Sequence, residues 1–313
     1  MSNIHQVLNK TQQAELHRGC HPYHPGWQTA YGYVPSETVG IVFCALFAAS
    51  LFVHIVQFSW KRTWWMCVFP VGCLVELLGW AARTWSSRCV YNQNAFLMQI
   101  STLIIAPTFF TAGIYILLGR FIQIFGRESS ILSPKAYLWI FCTCDVVSLV
   151  VQALGGGLAS AAFAKEGGDT TPGSNTMVGG VLFQLASITV FVICAADFLR
   201  RVRKMGVLRT ASVSFILLMA AMVFSVLCIY VRSIYRTIEL LQGWRGYLIT
   251  HELYFIVLDG AMMVAASAVF NLVHPGWLLD SVKGATLPES RSATELTDPK
   301  PEPEYYRESS QWI

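Results

Sequence analysis

The sequence predicts an all-α protein: a bundle of seven transmembrane helices, with the N-terminus outside and the C-terminus in the cytoplasm. Three observations predict it. Seven apolar stretches follow one another between Thr38 and His274, each near the ~20 residues that cross a hydrocarbon layer as a helix. Hydrophobic residues make up 54% of the 313 residues and charged residues 13%, against the about 25% charge usual in a soluble domain. Lysine and arginine are spread unevenly between alternate loops, and that asymmetry sets orientation in a bilayer.

The predicted spans are Thr38–Phe58, Trp64–Ala82, Phe96–Leu118, Ala136–Phe163, Met177–Phe198, Ala211–Val231 and Glu252–Val273. Alternating strands of ~10 residues are missing from the pattern, which argues against a barrel. The chain divides into an extracellular segment (1–37), the seven-helix domain (38–275) and a disordered cytoplasmic tail (276–313). The first segment is polar and has no apolar core followed by a small-residue cleavage site, so no cleavable signal peptide is expected and the first span acts as the insertion signal. Eight of the 22 basic residues fall in the N-terminus and even-numbered loops; the other 14, including Arg200, Arg201, Arg203, Lys204 and Arg209, fall in odd-numbered loops and the tail. The net charge of +4 reflects this bias and does not indicate a nucleic-acid partner. The tail has seven acidic and four basic residues and a Pro299–Glu304 run; it cannot bury a core and reads as a solvated segment.

Charge inside the spans is the nearest thing to a functional signature, because an unpaired charge at the bilayer centre costs roughly 2.5–3.5 kcal/mol or more. In the second span Glu76 and Arg83 are two turns apart on one face; they read either as a substrate or proton contact or as a packing ion pair. The third span carries Pro107, which frees one carbonyl and kinks a helix, followed by Tyr115 and Arg120, the latter placed to snorkel. The fourth carries Asp145, Ser148 and Gln152 on one face, then Gly155, Gly156 and Gly157, where the helix can break or a neighbouring backbone can approach. This stripe reads as a lined pathway or as interhelical hydrogen bonding. The fifth span is plainly apolar and leads into the most basic loop. The sixth ends with Arg232, Tyr235, Arg236 and Glu239, and the seventh begins with Glu252 and reaches Asp259. The short connection makes these two helices antiparallel neighbours, so Glu76, Arg232, Arg236, Glu239, Glu252 and Asp259 are expected to gather in the outer half. They form either a structural ion-pair network or a polar pocket for a cationic amphiphile.

Seven of nine cysteines lie in spans. Cys20 and Cys89 lie outside them on the predicted outer side, where a disulfide or two free thiols are both compatible with the pattern. Asn9-Lys10-Thr11 is a glycosylation acceptor on the same side. No phosphate-binding loop, H-E-x-x-H or G-x-S-x-G occurs. His251 and His274 stand at opposite ends of the last span, so no metal, no cofactor and no enzymatic activity are expected.

Several pieces in order resemble one family. They are Tyr31–Ser36, Glu76–Arg83, Ala106-Pro107 with Tyr115–Arg120, Asp145–Leu149 running into Gln152–Gly157, Arg232–Glu239, Glu252–Tyr254 with Asp259, and His274-Pro275-Gly276. Together they resemble the fungal lipid-translocating exporter family, also called 7-aminocholesterol-resistance-like. The resemblance implies seven spans, an outside N-terminus, export or flip of sphingoid bases and related lipids, and resistance to toxic amphiphiles; the expected location is the plasma membrane, with another endomembrane as the alternative. Some members are linked to porphyrin uptake. It carries over no catalytic residues. On this reading Glu76, Asp145, Ser148, Gln152, Glu252 and Asp259 line a substrate path. Arg83, Arg232, Arg236 and Glu239 form an ion-pair network, and Pro107 with the glycine run serves as a hinge. The alternative is a seven-helix receptor or regulator of membrane-lipid stress, against which stand the missing D-R-Y and N-P-x-x-Y patterns.

Overall fold

The computed structural model describes Leu16 and residues 19–25, 27, 29–163, 169–206, 212–243 and 246–278. Asn9 and most of the tail, residues 279–313, lie outside the described residues. The described chain contains seven helices long and apolar enough to cross a membrane. We number them α1 (Glu37–Lys61), α2 (Val68–Arg88), α3 (Gln93–Phe125), α4 (Pro134–Phe163), α5 (Thr171–Lys204) and α6 (Val213–Leu241). The seventh, α7, comprises Glu252–Phe255, a π-helical turn at Ile256–Ala261, and Met262–Leu272.

Local chemistry starts several of these helices. The Ser36 hydroxyl accepts from the Val39 N–H at 3.5 Å, Asn92 from the Ala95 N–H at 3.1 Å and Ser212 from the Phe215 N–H at 3.3 Å, which satisfies otherwise orphaned donors. Glu37 sits in the first turn of α1 and Lys61 in its last, each complementing the helix dipole. Arg62 then closes the helix in the left-handed conformation, φ 50°.

Each helix packs on the next in sequence, α7 closes back on α1, and α3 also touches α6 and α7. This makes α3 central, and its Phe110, Tyr115 and Phe121 are fully buried. Phe43 and Trp80 stack face to face, ring centres 4.0 Å apart, between α1 and α2. Large apolar side chains such as Phe52, Trp139, Ile193 and Leu272 point outward, an apolar exterior suited to lipid. The chain is a multi-pass membrane protein.

The helices outrun their apolar cores. The second span reaches Arg88 instead of Ala82, the sixth Leu241 instead of Val231, and the fifth starts at Thr171 instead of Met177. A helical turn at residues 275–278 also follows the break after Leu272, inside what the sequence suggests is tail. At the ends of α2 and α6 hydropathy stops where charge begins, but Arg83, Arg236 and Glu239 find partners there and the turns stay helical; the residues added at the start of α5 are polar and uncharged.

Of the two readings of Gly155–Gly157, a break or a close approach, the structure shows the second, and α4 runs through all three glycines. A Cβ on Gly155 would lie 2.4 Å from the Met177 nitrogen, and one on Gly173 would lie 2.3 Å from the Ala159 nitrogen. The backbones of α4 and α5 therefore meet almost directly, the packing that small residues allow in lipid. Gly156 and Gly157 face open space. Gly155→Ala and Gly173→Ala are expected to destabilise the protein by about 1–3 kcal/mol through overpacking. Gly157→Ala should be neutral or stabilising by up to about 1 kcal/mol. Thermal unfolding in detergent distinguishes the two sets.

Candidate functional site

One end of the bundle, where the N-terminal segment meets the starts of α1, α3 and α7 and the ends of α2 and α6, gathers seven ionisable side chains, six of them buried and Glu252 half-buried. Arg83 on α2 donates from Nη2 to Glu252 Oε1 at 2.7 Å and to the Tyr33 hydroxyl at 2.7 Å. Arg236 donates to Glu239 Oε2 at 2.6 Å, and the Tyr235 hydroxyl donates to the other carboxylate oxygen at 3.1 Å. Arg232 Nε approaches Asp259 Oδ1 at 2.7 Å, an ion contact without hydrogen-bond alignment. Each arginine thus has its own carboxylate. Glu76, 1% exposed, is the fourth acid; it lies in the field of Arg232, Asp259 and Arg236, and its Oε1 has no hydrogen-bond partner among the described residues.

Proline explains how Arg232 is held. Pro107 has no N–H, so the carbonyl four residues earlier, Leu103 O, loses its helical donor. Arg232 Nη2 donates to that carbonyl, and one guanidinium thereby joins α3 to α7. Asp259 stands in the π-helical turn, an element that often marks functional positions. The next residue, Gly260, lies so close to Trp80 and Phe43 that a Cβ would come within 2.6 and 2.8 Å of their rings.

The N-terminal segment closes over this cluster. The Tyr31 hydroxyl donates to Gln99 Oε1 at 2.7 Å and shares a hydrogen bond of 2.9 Å with the Ser86 hydroxyl. The Ser36 N–H donates to Glu252 at 3.0 Å. The Arg83 guanidinium stands 4.5 Å from the centre of the Phe255 ring and 5.5 Å from that of Tyr31, a cation–π enclosure. Cys20 is bonded to Cys89, their Cα atoms 4.5 Å apart, which ties the segment to the end of α2. Between these parts lies a cavity of about 90 Å³. Arg83, Arg236, Glu239, Gln99 and Tyr33 supply its polar wall; Ile100, Met177, Leu240 and Phe255 supply much of its apolar one.

The other expected path residues lie elsewhere. Asp145 on α4 accepts from the Thr111 hydroxyl at 3.0 Å and the Tyr115 hydroxyl at 3.1 Å, both on α3. Ser148 donates to the Asp145 carbonyl at 2.8 Å, and Gln152 donates to Gln184 on α5 at 3.0 Å. Asp145 and Gln152 pin α4 between α3 and α5, and these three residues, like Glu76, Glu252 and Asp259, are not among those lining the cavity. Arg120 lies 5.6 Å from the Trp65 ring centre.

Sequence reasoning missed a second polar cluster at the opposite end. There Gln57 donates to the Asn271 carbonyl at 2.8 Å, Asn271 donates to Ser50 at 2.7 Å, and the Gly276 N–H donates to His274 Nδ1 at 3.2 Å. His54 and His274, placed on separate segments by the sequence, lie within each other's electrostatic reach, each with Nε2 unpartnered. No periodic signal links α1 to the end of α7, so only the closure of the bundle reveals this pair. Among the described residues no three His, Cys, Asp or Glu side chains converge to hold a metal.

Arg232→Met should destabilise the protein by about 3–5 kcal/mol, because it leaves Asp259 uncompensated, and R232M/D259N should recover part of that loss; a double-mutant cycle in detergent checks it. Burial pushes the Tyr31 phenol from its ordinary value near 10 up to about 12. The native state holds this proton more tightly than the unfolded chain does, so its stabilising contribution is intact below pH 10 and is lost as pH rises towards about 12. The N-terminal segment is expected to loosen in that window, and less so in Tyr31→Phe, as followed by phenolate absorbance.

The sequence matches the family described as RTA1 like protein over residues 69–281. It is 35% identical over 280 residues to the sphingoid long-chain base transporter RSB1 of Saccharomyces cerevisiae (strain Lalvin EC1118 / Prise de mousse), covering 79% of this chain and 73% of that protein. It is 35% identical over 201 residues to protein RTM1 of the same species, covering 64% and 63% of the two chains. It is 31% identical over 206 residues to protoporphyrin uptake protein 1 of S. cerevisiae (strain ATCC 204508 / S288c), covering 65% and 66%. No solved structure matches. With seven spans in place and the match running from the start of α2 past the end of α7, the chain belongs to the RTA1-like family.

Proposed function

We propose that this protein translocates amphiphilic lipids that carry a cationic amine on a long hydrocarbon chain, the class of the sphingoid long-chain bases. The carrying observation is the cavity of about 90 Å³, walled by buried Arg236 and Glu239 on one side and by Ile100, Met177 and Phe255 on another. Whole-ligand pockets usually measure about 300–1,000 Å³. A space this small suits a head group whose tail remains in lipid. The acceptors for an ammonium group are Glu239 in the wall and Glu252 behind Arg83, which it would share with Arg236 and Arg83, the two cations that also line the cavity. The name of the relative RSB1 supports the same substrate class, and the names of the relatives speak for transport, not catalysis.

The topology proposed from the basic-residue count puts the cavity and the Cys20–Cys89 bond at the outer surface of the plasma membrane, with Asn9 outside and the tail in the cytoplasm. Glu239, Glu252, Asp259 and Glu76 then form the outer part of the path. Asp145 and Gln152, partnered across helices, and Ser148, bonded within α4, brace the inner part as positioning groups.

Purified protein in liposomes should move a labelled long-chain base across the bilayer. Glu239→Gln should lower the initial rate by ~10-fold, the equivalent of about 1.4 kcal/mol of lost head-group recognition. An N-acylated, uncharged analogue should not be carried. Saturable binding without flux would replace this reading with that of a receptor.

A further inference from the structure

The buried cluster has an odd number of charges. Its cations are Arg83, Arg232 and Arg236, and each is matched by one carboxylate, from Glu252, Asp259 and Glu239 respectively. Glu76 has none left to it. It is as deeply buried as any of them, and its Oε1 is unpartnered. A second orphan sits one helical turn away: the indole N–H of Trp80, itself fully buried, also lacks a partner and lies within reach of the Glu76 carboxyl. An unpaired carboxylate in such surroundings is strongly disfavoured. The cluster reaches neutrality only by taking up one more positive charge.

We propose that Glu76 carries one exchangeable proton, which it releases when a long-chain amine enters the neighbouring cavity. The inference rests on the reading of that cavity as an ammonium site. Empty, the cluster contains three arginines, three carboxylates and a neutral Glu76 carboxylic acid. Loaded, the ammonium adds one positive charge, the Glu76 O–H bond breaks, the electron pair stays on oxygen, and the proton leaves to water. The sum is neutral in both states, so amine and proton exchange one for one. The charged or titratable groups facing Glu76 are Arg232 and Arg236 from α6, Asp259 from α7 and the Cys73 thiol on its own helix. The central helix α3 contributes the Leu103 carbonyl on Arg232, and α1 contributes the Phe43 ring stacked on Trp80. Arg236 is the link between the levels: it lies in the field of Glu76 and also forms part of the cavity wall. The ionised carboxylate gains the waiting Trp80 N–H as donor, so neither state strands a charge.

Titration calorimetry of the purified full chain in detergent, in buffers of different ionisation enthalpy, counts the protons released on binding. The probes are a long-chain primary amine and its N,N,N-trimethyl analogue. The second probe has no proton of its own to lose, so any proton released comes from the protein. We expect about one proton per bound molecule for both probes in the wild type. In Glu76→Gln the count should fall to near zero and affinity for both probes should fall by ~10-fold or more, since a neutral cluster then has no charge to give up. Binding of both probes without proton release would overturn the exchange and leave the cavity reading standing. Failure of the wild type to bind either probe would overturn both. The wild-type count decides the matter even if Glu76→Gln does not fold. Unchanged affinity and proton count in a folded Glu76→Gln would make Glu76 a packing group.

Discussion

A guanidinium inside a hydrocarbon-embedded bundle requires oxygens on every side, and Arg232 determines how four helices meet. It touches Asp259 on α7, the Leu103 carbonyl on α3 and the field of Glu76 on α2 while standing on α6. The proline at position 107 is the precondition. A residue with an N–H there would hold the Leu103 carbonyl within its own helix, and the arginine would lose that acceptor. The π-helical turn serves the same end, since it sets Asp259 towards Arg232 while Gly260 lies against Trp80. Two departures from regular helix geometry and one cation thus form a single joint.

The charges above that joint are arranged in levels. Arg236 with Glu239, then Arg83 with Glu252, lead from the buried joint towards the end of the bundle that the N-terminal segment covers. The segment is part of the site: Tyr31, Tyr33 and the Ser36 N–H all engage groups that would otherwise face an open mouth. The Cys20–Cys89 bond limits how far that cover can move. At the opposite end of the bundle, the His54–His274 neighbourhood is uncharged in character, apart from Lys61, whose side chain lies over Trp277. The two ends are chemically unlike.

The number and order of the spans were legible in the sequence, because ~20 consecutive apolar residues admit few other readings. So was the gathering of Glu76, Arg232, Arg236, Glu239, Glu252 and Asp259, which followed from helical spacing and one short loop. The partner of each group was not legible. Helical periodicity places Arg232 and Arg236 on one face, but only the packing of α3 and α7 against α6 decides that the first takes Asp259 and the second takes Glu239. The glycine run was legible as a place of close approach; that a helix of 30 residues continues through it depends on α5 lying alongside. Asp145 reads the same in sequence as the path acids. It differs because Thr111 and Tyr115 arrive from α3 to bond it. The ends of α2 and α6 were misjudged because charge counts against a span in hydropathy terms, while Arg83, Arg236 and Glu239 are matched inside this bundle; the start of α5 was missed because residues 171–176 are polar and carry no apolar signal.

The carbonyl that Pro107 sets free has one further effect. While Arg232 holds it, α3 and α6 move together. If α6 swings away, Leu103 O is left bare at membrane depth, which costs several kcal/mol unless a water molecule replaces the guanidinium. Separation of these two helices is therefore inseparable from wetting of the gap between them. The latched arrangement and a parted, hydrated one become discrete alternatives, and the backbone of α3 itself sets the threshold between them.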